Sequence, residues 1–194
     1  MRNHLTAFAI CTVTTLLISP ALSSAQSMPA PTKTPVRLAE SKPSPAQIYA
    51  KLFSSQEEEV VSAAEVMPED KYNFAPKDGT FEGVRTFAQQ VTHIAASQYY
   101  YFGNFGIKGG ADSDAIDKLT RKDDIVKALK DSYAFAQQAI ATMTAENAFD
   151  PIGAHKSTRI GLATGALAHT NDHYGQMVVY LRMNKIIPPA SRKP

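Results

Sequence analysis

The sequence has 194 residues, a length typical of one domain. Its 20 basic and 18 acidic residues nearly cancel, so the charge balance gives no reason to expect a nucleic-acid partner or a polybasic contact with membranes. The single cysteine excludes an internal disulfide and any metal site built from several cysteines.

The first 25 residues have the pattern of a secretory signal. Arg2 precedes an uncharged apolar stretch over residues 5–18, and Ser23 and Ala25 stand at the two positions that a signal peptidase reads. The apolar stretch is shorter than the roughly 20 residues needed to span a membrane. We predict cleavage after Ala25 and a secreted or periplasmic protein that is free of the membrane and has lost its only cysteine. The alternative is an uncleaved N-terminal anchor.

Residues 26–45 differ in composition from the rest of the chain. They contain five of the twelve prolines, among scattered serine, threonine and lysine residues. Such a segment buries too little apolar surface to offset the entropy lost on ordering. We therefore predict a disordered tether over residues 26–45 and a folded domain over residues 46–190.

The folded domain begins with two predicted helices. The first helix is predicted to start with a capping box formed by Ser44 and Gln47 and to end at Pro68. The second helix is predicted over residues 81–102, with Thr80 as its N-cap.

Two further helices follow, the third from Thr120 to about Met143 and the fourth from Thr158 to Met183. No segment alternates apolar and polar residues with period two, so we expect no sheet. Four helices of this length predict an all-α protein with a four-helix bundle. The connection over residues 103–119 is long for a bundle, so the order of the helices is not fixed as up-down-up-down.

Three histidines are predicted to meet inside this bundle. His169 and His173 are four residues apart, so both imidazoles lie on one face of the fourth helix. His93 is near the middle of the second helix, at the same depth as the pair. Three imidazoles at one depth predict a divalent-metal site. The alternative is that each is an interior histidine with ordinary hydrogen bonds.

Two other side chains are candidates for the surroundings of this site. Gln176, three residues after His173, is predicted to hydrogen-bond to a metal-bound water or a ligand ring, or else to be a satisfied interior amide. Tyr100 lies about 20° from His93 on a helical wheel and is our candidate to line a pocket, with core packing as the alternative. Asp172 points away from the pair and is expected to be a solvated carboxylate.

Several segments of the sequence carry a further likeness. They are the histidine segments Gln90-Val91-Thr92-His93-Ile94-Ala95 and His169-Thr170-Asn171-Asp172-His173-Tyr174-Gly175-Gln176, the ending Tyr180-Leu181-Arg182-Met183-Asn184, and the link Met67-Pro68-Glu69-Asp70-Lys71-Tyr72. Together they resemble the DinB-like (damage-inducible) four-helix metalloproteins, and the resemblance covers about residues 46–189.

The resemblance implies a bundle of up-down-down-up type. It also implies one divalent ion, usually zinc or nickel, held by His93, His169 and His173 at the end of a pocket that takes a small molecule. Some relatives are thiol S-transferases or thiol-dependent isomerases, many have no established activity, and relatives are often homodimers.

Two functions remain open at this point. Three neutral imidazoles leave at least one coordination position for water or substrate, which is typical of a catalytic site. The first hypothesis is a metal-dependent hydrolase or transferase, and the second is a non-catalytic protein that binds a metal or a small ligand. A pocket with polar groups would favour the enzyme, and a pocket sealed by apolar side chains would favour the binding protein.

Overall fold

The computed structural model describes residues 42–193, so the predicted signal and nearly all of the predicted tether lie outside the described residues. The helices are α1 (Pro45–Val66), α2 (Phe87–Phe102), α3 (Ser113–Asp117), α4 (Lys122–Ala141) and α5 (Arg159–Met183). Single 3-10 turns cover Glu69–Lys71 and Pro189–Ser191. The all-α fold is confirmed, with α1, α2, α4 and α5 as the four helices of the bundle.

A small antiparallel hairpin departs from the expectation of no sheet. Its strands β1 (Pro151–Ile152) and β2 (Ser157–Thr158) have two residues each. Gly153 (φ 68°) and Lys156 (φ 50°) take left-handed conformations in the turn between them. Strands of two residues are too short for an alternating pattern to be visible in the sequence.

Contacts between helices define the order of the bundle. α1 and α2 each pack against both α4 and α5, so α1 and α2 lie on one diagonal of the bundle. The hydroxyls of Tyr49 and Thr164 are 2.6 Å apart, and Gln56 Nε2 donates to Asn171 Oδ1 at 2.8 Å. From the first contact to the second, the residue number rises in α1 and also in α5. The two helices are therefore parallel.

The other two helices run in the opposite direction. Lys122, at the start of α4, donates to the carbonyl of Met67 after the end of α1, whereas Gln137 near the end of α4 donates to Ala50. α2 is antiparallel to α5, since Gln90 contacts Gln176 while Tyr101, eleven residues later, lies against Gly165. The arrangement is therefore up-down-down-up, as the resemblance implied.

The beginning of α2 differs from the prediction. The helix starts at Phe87 rather than after Thr80, and its capping box consists of Thr86 and Gln89, with Gln89 N donating to Thr86 Oγ1 at 3.3 Å. Gly79 (φ 109°) and Gly83 (φ 78°) take left-handed conformations that an α-helix does not contain. The segment around these glycines is therefore a series of turns, and the helix begins only after them.

The other helix ends agree more closely with the sequence. Ser44 and Gln47 form the predicted capping box of α1, and Thr158 caps α5 by accepting from the amide of Gly161 at 3.1 Å. α4 starts at Lys122 instead of Thr120. The described residues contain no helix with the length and apolar character to cross a membrane.

The long connection between α2 and α4 is part of the domain's structure. Because α2 and α4 are parallel, the chain must return along the bundle before α4 begins. The return contains α3, which packs against α2. This packing places Asp117, the last residue of α3, beside His93.

A tyrosine hydroxyl completes the C-terminal turn of α1. Pro68 has no amide hydrogen, so the carbonyl of Ala64 cannot accept the helical hydrogen bond from that position. Tyr72, which is 2% exposed, donates its hydroxyl to this carbonyl at 2.6 Å. The hydrogen bond ties the turn after α1 to the helix and positions the segment that leads to α2.

Candidate metal centre

The three predicted histidines lie together inside the bundle. The Nε2 atom of His169 is 3.1 Å from Nε2 of His93 and 3.2 Å from Nε2 of His173. His93 is supplied by α2 and the other two by successive turns of α5. One nitrogen from each ring lies within 4.8 Å of the others, and His173 is the most buried of the three.

These separations fit a shared metal ion. With metal–nitrogen bonds of 2.0–2.1 Å, two ligands of a tetrahedral ion are about 3.3 Å apart. The measured Nε2 separations are close to that value. The three histidines therefore have the donor type and the spacing that a divalent ion needs.

A chain of hydrogen bonds fixes the orientation and tautomer of His173. The carboxylate of Asp172 can only accept hydrogen bonds, so Gln176 donates to it from Nε2, with 3.2 Å between Nε2 and Oδ2. The Oε1 atom of Gln176 is then directed toward Gln90. Gln90 Nε2 donates to Gln176 Oε1 at 2.8 Å, which leaves Gln90 Oε1 facing His173 Nδ1 at 2.6 Å. His173 must therefore carry its proton on Nδ1, and its Nε2 presents a lone pair to the centre.

The protons available cannot satisfy all three facing nitrogens. With the proton of His173 on Nδ1, a hydrogen bond to its Nε2 must come from His169 Nε2, which also faces His93 Nε2 at nearly the same distance. One hydrogen would be shared between two acceptors. His169 Nδ1 is buried and has no hydrogen-bond partner among the described residues. A cation at the junction would interact with all three lone pairs.

The surroundings keep the imidazoles neutral. Burial is the largest cause that lowers the pKa of His93 and of His169. Burial also lowers the pKa of His173, to about 4, and repulsion from the other two rings adds to this. The positive charge of Arg85 lowers the pKa of all three histidines. Neutral imidazole is the form that binds metal.

Two clefts open beside His93. The first has a volume of about 450 Å³, and the charged or polar side chains of Arg85, Gln89, Thr92 and Asp117 line it. The second has a volume of about 380 Å³, reaches His169 and includes Tyr100 and Tyr101. Since His93 and Asp117 border both, the two clefts meet at these two residues. Volumes of this size are usual for small-molecule sites.

The other predicted side chains can now be located. Tyr100 lies at the rim of the second cleft and is 69% exposed, so it does not pack in the core. Tyr101 is closer to the centre, with its ring centroid 5.7 Å from that of His169. Gln176 contacts Gln90 rather than a histidine ring. Asp172 is exposed as expected, but its carboxylate also ends the hydrogen-bond chain.

Comparison with protein families identifies the domain. The family model for the DinB superfamily matches residues 52–177, a span that contains all three histidines. The chain belongs to the DinB superfamily. No curated protein matches the sequence.

A solved structure agrees with this DinB assignment. The crystal structure of a DinB-like protein from Bacillus cereus ATCC 10987 superposes with a TM-score of 0.62 at 14% sequence identity. The alignment covers 73% of this chain and 93% of that chain. At this identity the likeness shows that the two proteins share the DinB fold.

Sequence reasoning missed several residues around the DinB histidines. Gln90 lies three residues before His93, but nothing in the sequence indicates its contact with His173, which is 83 positions away. The helix predicted over residues 81–102 would include Arg85, whereas α2 begins after this residue. Asp117 reaches the site only through α3, which periodicity did not predict. A capping box at Thr86 and Gln89 was the signal that would have corrected the position of Arg85.

Proposed function

We propose that this DinB protein is a metal-dependent enzyme, a hydrolase or transferase acting on a small molecule at the three-histidine centre. The observation that carries the proposal is the convergence of the Nε2 atoms of His93, His169 and His173 beside an open polar cleft. Three protein ligands and access from a cleft are typical of catalytic metal sites, whereas structural sites are closed by four protein ligands.

The polar character of the first cleft supports catalysis over simple binding. Arg85, Gln89, Thr92 and Asp117 offer charges and hydrogen-bonding groups next to His93. A site that only retained a metal ion would need no such groups in an open cleft. Their presence supports the first of the two hypotheses drawn from the sequence.

The roles of the protein groups follow from their positions. When bound, a divalent ion would supply Lewis acidity and lower the pKa of a coordinated water to about 7. Gln90 holds the ring of His173 so that Nε2 faces the centre. Asp117, at the border of both clefts, is available to accept a proton from a nucleophile or water.

The proposed metal is zinc or nickel. Imidazole nitrogen is a ligand that suits both ions, and the three histidines are neutral donors. The similarity to DinB-like metalloproteins supports the same choice. Metal analysis of the protein purified from cells would decide between the two ions.

We further propose that the enzyme acts outside the cytoplasm, free of the membrane and without a nucleic-acid partner. The support is the signal-like pattern over residues 1–25 and the near-balanced charge of the chain. Mass spectrometry of the protein recovered from the periplasm or the medium should find a chain that begins at Gln26. Recovery of the uncleaved chain in the membrane fraction would contradict this part of the proposal.

The catalytic proposal is tested by a substrate screen with matched histidine variants. Esters, amides and thiol-transfer substrates are supplied to the zinc-loaded and nickel-loaded wild type, to His169→Ala and to His155→Ala. His155 is an exposed histidine of the hairpin turn, so its removal controls for loss of an imidazole as such. We expect an activity that His169→Ala loses by at least a hundredfold and His155→Ala retains. An activity that is as high in His169→Ala as in the wild type would contradict the proposal.

A further inference from the structure

Arg85 is held at the mouth of the metal centre by its backbone. It directly precedes Thr86, the N-cap of α2, and its carbonyl accepts a hydrogen bond from the hydroxyl of Tyr180 at 3.0 Å. Its side chain lines the first cleft together with His93 and Asp117. A residue fixed between a helix cap and a hydrogen bond to α5 has little freedom to move its Cα away from the cleft.

The guanidinium of Arg85 has no anionic partner among residues 42–193. The ion pairs of this region join other side chains, and Asp117 is not within ion-pairing distance of Arg85. A guanidinium without a partner in an open cleft suits a carboxylate, which it binds through two parallel hydrogen bonds.

The second cleft offers an aromatic surface on the other side of His93. The rings of Tyr100 and Tyr101 meet edge to face with centroids 5.3 Å apart, and Tyr101 also packs near His169. The side chain of Tyr100 is largely exposed. This surface fits an apolar or aromatic part of a ligand whose reactive group is at the histidines.

The charges around the clefts limit the charge of the ligand. Among the described residues that line either cleft, Arg85 is the only basic side chain apart from the histidines, and Asp117 is the only acidic one. Away from the ion proposed at the histidines, a second negative charge on the ligand would meet no second cationic side chain and would face Asp117. A ligand with one carboxylate and an uncharged apolar part satisfies both clefts.

We propose that the centre takes a small organic monocarboxylate, with its carboxylate on Arg85 and its apolar group against Tyr100 and Tyr101. This inference rests on the proposed function and names the substrate class of the same site. Arg85 and Tyr100 are then residues that determine specificity.

The test is calorimetric titration of the zinc-loaded and the metal-free protein with three probes. Phenylacetate carries both features, acetate lacks the ring and 2-phenylethanol lacks the charge. The variants are Arg85→Gln, Arg85→Lys and Tyr100→Ala, with Arg192→Gln as the control because Arg192 is exposed and lines neither cleft. The zinc content of each loaded sample is measured alongside.

We expect phenylacetate to bind the wild type more tightly than either other probe. Arg85→Gln should weaken phenylacetate binding by at least tenfold with zinc content unchanged, and Arg85→Lys should restore part of it. Tyr100→Ala should reduce the preference for phenylacetate over acetate, and Arg192→Gln should match the wild type. Equal phenylacetate affinity in Arg85→Gln and the wild type, or binding of 2-phenylethanol as tight as that of phenylacetate, would overturn the inference.

The metal-free titration separates this inference from the proposed function. A wild type that takes up neither zinc nor nickel contradicts the metal proposal. Carboxylate binding by Arg85 is still tested in that case, because the titration also uses the metal-free protein. Loss of phenylacetate affinity in metal-free Arg85→Gln supports carboxylate recognition, and unchanged affinity contradicts it.

Discussion

At the scale of single residues, Gln90 joins the candidate metal centre to the outside of the bundle. It is 1% exposed and connects His173 to Gln176, which in turn reaches the exposed Asp172. Because the carboxylate at the far end only accepts, the direction of every donor in the chain is set. The histidine spacing predicted that the three imidazoles lie together, but the hydrogen bonds of Gln90 could not be predicted, since they depend on how α2 and α5 cross.

Removing this support should weaken metal binding without removing a ligand. In Gln90→Leu, His173 loses the acceptor for its Nδ1 proton, so its tautomer and ring orientation are no longer fixed. We expect zinc affinity to fall by about 10-fold to 100-fold, which competition with a chromogenic chelator measures. Gln137→Leu removes a glutamine on α4 that donates to α1, and should leave the affinity unchanged. Equal affinity in Gln90→Leu and the wild type would contradict this role.

At the scale of elements, the start of α2 shows where sequence patterns are ambiguous. Thr80 and Thr86 are both acceptable N-caps, and apolar residues follow each of them. The choice depends on Gly79 and Gly83, whose left-handed conformations interrupt any helix before Thr86. Glycine permits such conformations without requiring them, so the sequence alone left the earlier start open.

Replacing the two threonines separately distinguishes the two helix starts. Thr86→Ala removes the side chain that accepts from Gln89 N, and should lower the free energy of unfolding by about 1 kcal/mol. Thr80 lies in the turn segment before α2. Thr80→Ala should therefore change the free energy of unfolding by no more than a few tenths of a kcal/mol. Urea denaturation followed by circular dichroism measures both. If Thr80→Ala lost more stability than Thr86→Ala, the helix would start after Thr80 instead.

The connection that contains α3 is a second element that periodicity did not reveal. Its helix of five residues is too short for an apolar stripe, and only Ile116 is buried. The sequence indicated a long link but not its path. The parallel packing of α2 and α4 determines that path and brings Asp117 to the clefts.

At the scale of the whole molecule, the diagonal placement of consecutive helices distinguishes this bundle from a simple up-down-up-down one. The apolar stripes predicted that four helices pack together, because they are local properties of each helix. They do not specify which helices are neighbours. Only the family resemblance implied the order. Two contacts for each of the pairs α1/α5, α1/α4 and α2/α5 now establish it.

Two buried tyrosines should make the stability of the fold depend on pH in the alkaline range. Burial raises the pKa of Tyr72, and the charges of Glu65 and Asp123 add to the effect. The unfolded chain then releases this proton near pH 10 while the folded protein keeps it, so the free energy of unfolding should fall as the pH rises above about 10. Burial raises the pKa of Tyr133 in the same direction.

The variant Tyr72→Phe tests this dependence. It removes the hydrogen bond to Ala64, so we expect it to be less stable than the wild type by about 1–2 kcal/mol at pH 7. Above pH 10 its stability should fall less steeply, because one of the perturbed hydroxyls is absent. Urea unfolding at pH 7 to 11 measures both effects, with Tyr100→Phe as an exposed control. If the free energy of unfolding fell with pH as steeply as in the wild type, Tyr72 would not be a cause of the pH dependence.

The central claim is that three histidines form one metal site, and metal stoichiometry tests it most directly. The wild type, His93→Ala, His169→Ala, His173→Ala and the control His155→Ala are saturated with zinc or nickel, passed over a desalting column and analysed by elemental mass spectrometry. We expect one equivalent per chain in the wild type and in His155→Ala, and loss of stoichiometric metal in the other three variants with their helical content preserved. Metal content that is the same in all five proteins would contradict it.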